Sequence, residues 1–146
     1  TPGTWWRHAL EGFQTRLVQF FFNAWPLPET AGFRSSLVYA GEMADAGWSI
    51  LIFPEGRHIH DGSMETFRGG IGLLARELRA PILPIHVEGT GYLLPDDRYW
   101  LRLGRARVAI GAPFTVAPDE TPAEITKKIE AAVRALAPPG TKFPEA

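Results

Sequence analysis

Ile52-Phe53-Pro54-Glu55-Gly56-Arg57 is the stretch on which the fold and the chemistry turn, because an apolar run gives way there to a polar loop. Upstream, Trp48-Ser49-Ile50-Leu51-Ile52-Phe53 has the composition of a buried strand. Downstream, as far as Gly62, turn formers and polar residues predominate. Active groups often sit where a strand ends in a loop. Gly56 permits close backbone approach, Arg57 offers a forked cation for phosphate oxygens, and Glu55 can orient a hydroxyl or that arginine. Together these residues describe an anion pocket. On spacing alone, an ordinary strand-ending turn with a surface ion pair accounts for them equally well.

The neighbouring segments alternate in period. Before the run, Phe33, Leu37, Ala40, Gly41 and Ala44 form a helical stripe closed by Gly47, which predicts a helix near 33–46. After the loop, Ile71, Leu74, Ala75 and Leu78 predict a helix near 69–79. Ile82-Leu83-Pro84-Ile85-His86-Val87 and Ala106-Arg107-Val108-Ala109-Ile110 then read as strands, while Tyr92 to Arg105 has no clear period. A last helix over 122–136 carries the fullest signal. Thr121 can cap it, Pro122 suits its first position, Glu124 completes a capping box, and Ile125, Ile129, Val133 and Leu136 make its apolar face. Near the start, Phe13, Leu17, Phe20 and Phe21 recur at helical spacing until Asn23-Ala24-Trp25-Pro26-Leu27-Pro28 stops the pattern, and a short strand is expected there. The class is α/β: a layered sandwich with a mixed central sheet flanked by helices. Residues 1–137 form its domain, and 138–146, after Pro138-Pro139-Gly140, form a loose tail. Ile50 to Phe53, Ile82 to Val87 and Arg107 to Ile110 are its expected central strands. The anion pocket requires the first two to share a sheet, so that their ends converge.

With 146 residues, 45% of them hydrophobic, the chain can build one sizeable core. A net charge of −1 gives no global reason to expect nucleic acid, so an anion site has to be local. The absence of cysteine excludes disulfides, thiol catalysis and cysteine-ligated zinc, and fits a reducing, cytoplasmic setting. Gln19, Asn23 and Pro26 interrupt the most apolar region, so no stretch approaches a membrane span. The chain opens on Thr1-Pro2-Gly3, the start expected of a trimmed or partial chain.

Phe53-Pro54-Glu55-Gly56-Arg57 resembles the third sequence block of the lysophosphatidate and glycerol-3-phosphate acyltransferase family. In order after it, Phe67-Arg68-Gly69-Gly70 resembles the family's aromatic-basic-glycine element, and Pro81-Ile82-Leu83-Pro84-Ile85-His86-Val87 its proline-punctuated fourth block. Asn23 to Pro28 sits where the second block falls but lacks that block's arginine. The likeness runs from about Phe20 to Phe114, and is nearest to bacterial acyltransferase domains appended to acyl-activating synthetases. It implies a glycerolipid acyltransferase-like fold, incomplete at its N-terminus, and a role in phospholipid biosynthesis. The implied reaction moves a fatty acyl group from acyl-CoA or acyl-carrier protein to a hydroxyl of a glycerol phosphate or lysophospholipid. The implied partners are thus an acyl thioester donor, a glycerolipid acceptor and a peripheral membrane surface at the cytoplasmic face. Neither a cofactor nor a metal is implied. Glu55, Gly56 and Arg57 would hold the acceptor phosphate, with Arg68 as a second cation.

The family's catalytic block is a histidine acting as general base, followed five positions later by an aspartate that orients it. Five positions beyond His8, His58, His60 and His86 stand Phe13, Ser63, Glu65 and Gly91, so no pair of this kind is present. The family's spacing puts the missing histidine before Thr1, and the chain as it stands is expected not to catalyse. Two rivals remain open. One is a catalytically silent lipid-binding module. The other is a metal-dependent hydrolase using His58, His60 and Asp61 with His86, although a solvated loop and a structural strand histidine explain the same residues. The aromatic cluster Trp5, Trp6, Phe13, Phe20, Phe21, Phe22 and Trp25 fits core packing or lipid contact, and the Arg98, Arg102, Arg105 and Arg107 series a solvated face. The block order predicts a histidine followed five residues later by aspartate upstream of Thr1. Reading the parent coding sequence checks this, and a start codon directly before Thr1 would leave the silent module instead.

Overall fold

The computed structural model describes residues 33–56, 63–93 and 102–141. The chain divides into two compact units, Thr1–Tyr39 and Ala40–Ala146. Of the first unit, only the opening turns of a helix are described. The aromatic helix and short strand expected before residue 29 lie outside the described residues, as does most of the expected tail.

Helix α1 runs over Phe33–Asp45, close to the predicted span. It ends where Gly47 takes a left-handed φ of 83°. The Trp48 amide donates to the Met43 carbonyl at 2.9 Å and the Gly47 amide to Ala44 at 2.9 Å, the paired bonds of a Schellman stop. Ala40, on the predicted stripe, is fully buried. The next segment departs from expectation: Ile50 to Phe53 is extended but pairs with no described strand. Its side chains still alternate as a strand's would, with Ile50 and Ile52 half-buried and Leu51 and Phe53 72% and 75% exposed. A β-branched and aromatic apolar run favours extended backbone, whereas a ladder also needs a neighbour, and that is a tertiary fact. The expectation that Ile50–Phe53 and Ile82–Val87 share one sheet is therefore corrected. The strand-end route to a pocket falls with it.

Helix α2, Gly70–Leu78, follows the loop and ends on Arg79 in the left-handed region, its amide donating to Ala75. The proline-punctuated run splits in two. Ile82 makes an isolated bridge with Phe114, and strand β1, Ile85–Glu88, begins only after Pro84, which has no amide to give a ladder. A one-turn helix α3, Thr90–Leu93, opens the stretch whose period was unclear. Strand β2, Arg107–Ile110, pairs antiparallel with β1, Ile85 opposite Ile110 and Val87 opposite Val108. Among the described residues the sheet has these two strands. The α/β class stands, with a smaller sheet than expected.

Helix α4, Pro122–Arg134, carries the capping box read from the sequence. The Glu124 amide donates to the Thr121 hydroxyl at 3.3 Å, and the Thr121 amide returns a bond to the Glu124 carboxylate at 2.8 Å. The Thr121 hydroxyl also donates to that carboxylate at 2.7 Å, and this bond first, then the one from the Thr121 amide, holds the Glu124 carboxyl below the usual glutamate range. Its stripe of Ile125, Ile129 and Val133 packs on Ile71 and Ala75 of α2, and this helix pair forms the largest contact between described elements. Ile125 is completely buried, and burying such a side chain contributes about 1.5–3 kcal/mol. Met64 and Phe67, from the loop before α2, complete the same core.

The two helices meet so closely at Gly72 that a Cβ there would collide with the Pro122 carbonyl oxygen and the Thr126 hydroxyl. That hydroxyl already donates to Pro122 at 2.8 Å. Gly72→Ala gains about 1 kcal/mol of helix propensity but meets backbone, so an overpacking cost of about 3 kcal/mol prevails. Urea unfolding should give a net loss of about 2 kcal/mol. Gly41→Ala in α1, where a Cβ meets nothing within 4 Å, should instead gain up to about 1 kcal/mol.

Candidate functional site

The candidate site is assembled by a loop returning to a turn. Phe53 to Gly56 folds back on itself, the Gly56 amide donating to the Phe53 carbonyl at 3.3 Å, and Gly56 takes a left-handed φ of 67°. The chain then returns through Phe67-Arg68. The Arg68 amide donates to the Pro54 carbonyl at 3.0 Å, and Arg68 Nε donates to the Glu55 carbonyl at 3.1 Å. Arg68 passes so near Gly56 that a Cβ on the glycine would overlap its side chain, lying 2.6 Å from Cδ and 2.8 Å from Cζ. Glycine is thus required twice, by its backbone conformation and by the arginine lying over it. Three of the four expected site residues, Glu55, Gly56 and Arg68, are brought together. The fourth, Arg57, lies outside the described residues.

Burial raises the Glu55 carboxyl above its ordinary value, and the nearby Glu65 carboxylate raises it further. A hydrogen bond from the Glu65 backbone opposes them. The turn therefore gathers an exposed arginine, Arg68, and two mutually repelling carboxyls, Glu55 and Glu65. Such a surface suits an anion at the arginine and a polar, proton-bearing group at the glutamate.

Phe67 is what holds the returning loop. Its ring is buried in the α2–α4 core, and its amide donates to Glu130 Oε2 on α4 at 2.9 Å. The other Glu130 oxygen pairs with Arg134 at 2.7 Å. Glu130 was not singled out from the sequence. Its i,i+4 spacing to Arg134 is legible as a helix-surface ion pair, but nothing local tells of an amide 63 residues away. His86 sits half-buried in β1 opposite Ala109. The other members of the expected metal alternative, His58, His60 and Asp61, lie outside the described residues.

The sequence model of the Acyltransferase family matches residues 13–88, a span that takes in the Glu55-Gly56 turn, Phe67-Arg68 and β1. This chain belongs to the Acyltransferase family. Among the family's members, a chloroplastic 1-acyl-sn-glycerol-3-phosphate acyltransferase of Brassica napus is 34% identical over 74 residues, covering 50% of this chain and 22% of that protein. The alpha 1-acyl-sn-glycerol-3-phosphate acyltransferase of Mus musculus is 32% identical over 78 residues, covering 51% of this chain and 27% of its own length. The chain thus matches about a quarter of each of these acyltransferases. The crystal structure of the 1-acyl-sn-glycerophosphate acyltransferase PlsC from Thermotoga maritima superposes with a TM-score of 0.60 at 27% identity, over 68% of this chain and 42% of that one. Among the described residues, no helix is long and apolar enough to cross a membrane.

The raised Glu55 carboxyl has a consequence for stability. The folded state binds its proton more tightly than the unfolded chain, so stability should fall as pH rises from the ordinary glutamate value through the raised one. Glu55→Gln should melt at a higher temperature than the parent chain at pH 7 and lose that fall. A carboxyl NMR titration should show the Glu55 midpoint moving down in Glu65→Gln, and an unmoved midpoint would remove the repulsion from the account.

Proposed function

We propose that this chain supplies the acceptor-phosphate site of an enzyme that transfers a fatty acyl group from acyl-CoA or acyl-carrier protein to the free hydroxyl of lysophosphatidate. The observation that carries the reading is the lock between the Pro54-Glu55-Gly56 turn and Arg68, in a chain of the Acyltransferase family. Two similar proteins named for acylating 1-acyl-sn-glycerol 3-phosphate support the acceptor class.

In this reading Arg57 engages the acceptor phosphate with its planar fork. Arg68, tied to the Glu55 carbonyl, adds a second cation, and Gly56 leaves room for the arginine side chain that lies over it. Holding the phosphate fixes the acceptor hydroxyl against the thioester, which is where orientation gives rate. The acyl carbon then exchanges its bond to sulfur for one to the hydroxyl oxygen. The proton taken by the histidine of the block expected before Thr1 passes to the departing thiolate, with no covalent enzyme intermediate. No cofactor is required beyond the thioester co-substrate. Work on a lipid acceptor fits a peripheral position at a membrane surface.

In the intact enzyme, Arg57→Ala and Arg68→Ala should each reduce acceptor kcat/KM while leaving that for the acyl thioester near its parent value. A charge-assisted hydrogen bond worth about 1.5–3 kcal/mol corresponds to roughly a ten- to hundredfold loss. Arg57→Lys should recover part of it, since the charge remains and the fork does not. Acceptor kinetics unchanged in both alanine variants would overturn the phosphate assignment.

A further inference from the structure

We infer that Glu130 is a positioning residue for the acceptor-phosphate site, acting from the last helix through Phe67 on Arg68; the inference rests on the reading of Arg68 just proposed. Glu130 lies on α4, beyond the segment matched by the family, and touches neither Glu55 nor Gly56 by any bond described above. Its carboxylate instead bridges two groups. One oxygen accepts from the Phe67 amide at 2.9 Å and the other pairs with Arg134 at 2.7 Å. The Glu130 side chain is only 14% exposed, so both bonds operate where water screens them weakly.

Three constraints meet on the dipeptide Phe67-Arg68. The Phe67 ring is in the α2–α4 core, its amide is on Glu130, and the next amide, that of Arg68, is on the Pro54 carbonyl. With the backbone on both sides of the Phe67 Cα fixed, the Arg68 side chain has one departure point. Nε then reaches the Glu55 carbonyl over the bare Cα of Gly56. Core packing alone would leave Phe67 free to rotate its amide. The directional bond from a paired carboxylate removes that freedom, and the arginine inherits the order. Arg134 in turn holds the other Glu130 oxygen at 2.7 Å and keeps the carboxylate aimed, which makes the pair one device. Such an element is separable from the catalytic histidine, because it sets where the acceptor sits and does not touch the thioester.

The experiment uses the intact enzyme with lysophosphatidate and an acyl-CoA. Glu130→Ala should raise acceptor KM about five- to tenfold, with acyl-CoA KM unchanged, the loss expected when part of one charge-assisted contact is misaligned. Glu130→Gln keeps an acceptor for the Phe67 amide and should restore most of the affinity. Because Glu130 acts through Arg68, adding Glu130→Ala to Arg68→Ala should raise acceptor KM no further. A lower melting temperature with both KM values unchanged, or additive effects in the double variant, would overturn the inference while leaving the phosphate reading intact. If Arg68→Ala and Arg57→Ala themselves leave acceptor KM unmoved, it is the phosphate reading that has failed, and the positioning role goes with it.

Discussion

The rest of the described structure depends on the capture of Phe67 between α2 and α4. Its ring closes the apolar seam that Ile71, Ala75, Ile125 and Ile129 leave, and its amide is taken by a carboxylate on α4. A loop held by apolar contact alone is held in place but not in orientation, because packing is non-directional. Here the directional part comes from Glu130, whose charge is matched by Arg134 one turn on. The close approach at Gly72 makes this possible, since a larger residue there would move α4, and Glu130 with it, away from the loop.

The same geometry concentrates charge at the turn. Arg68 lies over Gly56 with its amide on the Pro54 carbonyl and its Nε on the Glu55 carbonyl, and Glu65 is near enough to raise the Glu55 carboxyl. Leaving Glu55 partly buried near a like charge costs stability, and such a cost commonly persists where a site needs the group.

Elements with local stop and start chemistry were legible in the sequence. Gly47 ends α1 through its own conformation, and Thr121, Pro122 and Glu124 begin α4 through bonds within one turn. Pro84 interrupted its run as a missing donor must, although the residue at which β1 begins needed the partner strand. Ile50 to Phe53 shows the opposite case. Its extended backbone is present, yet the ladder that would make it a strand depends on a neighbour no local pattern encodes. The one-turn α3 also escaped the reading, being too short to show a period.

By itself the sequence determined the helical faces, the turn formers after Phe53, and the family likeness that marks Glu55, Gly56, Arg57 and Arg68 as a group. Propensity, capping and periodicity act over a few residues, and motif order survives without coordinates. Only the tertiary structure decided that Arg68 lies across Gly56 with Nε on the Glu55 carbonyl, that the Glu65 charge raises the Glu55 carboxyl, and that Glu130 holds the loop from 63 residues away. These are contacts between segments whose meeting is fixed by how α2 and α4 share one core. The free energy that joins them comes from burying that shared surface, and no window of the chain contains it.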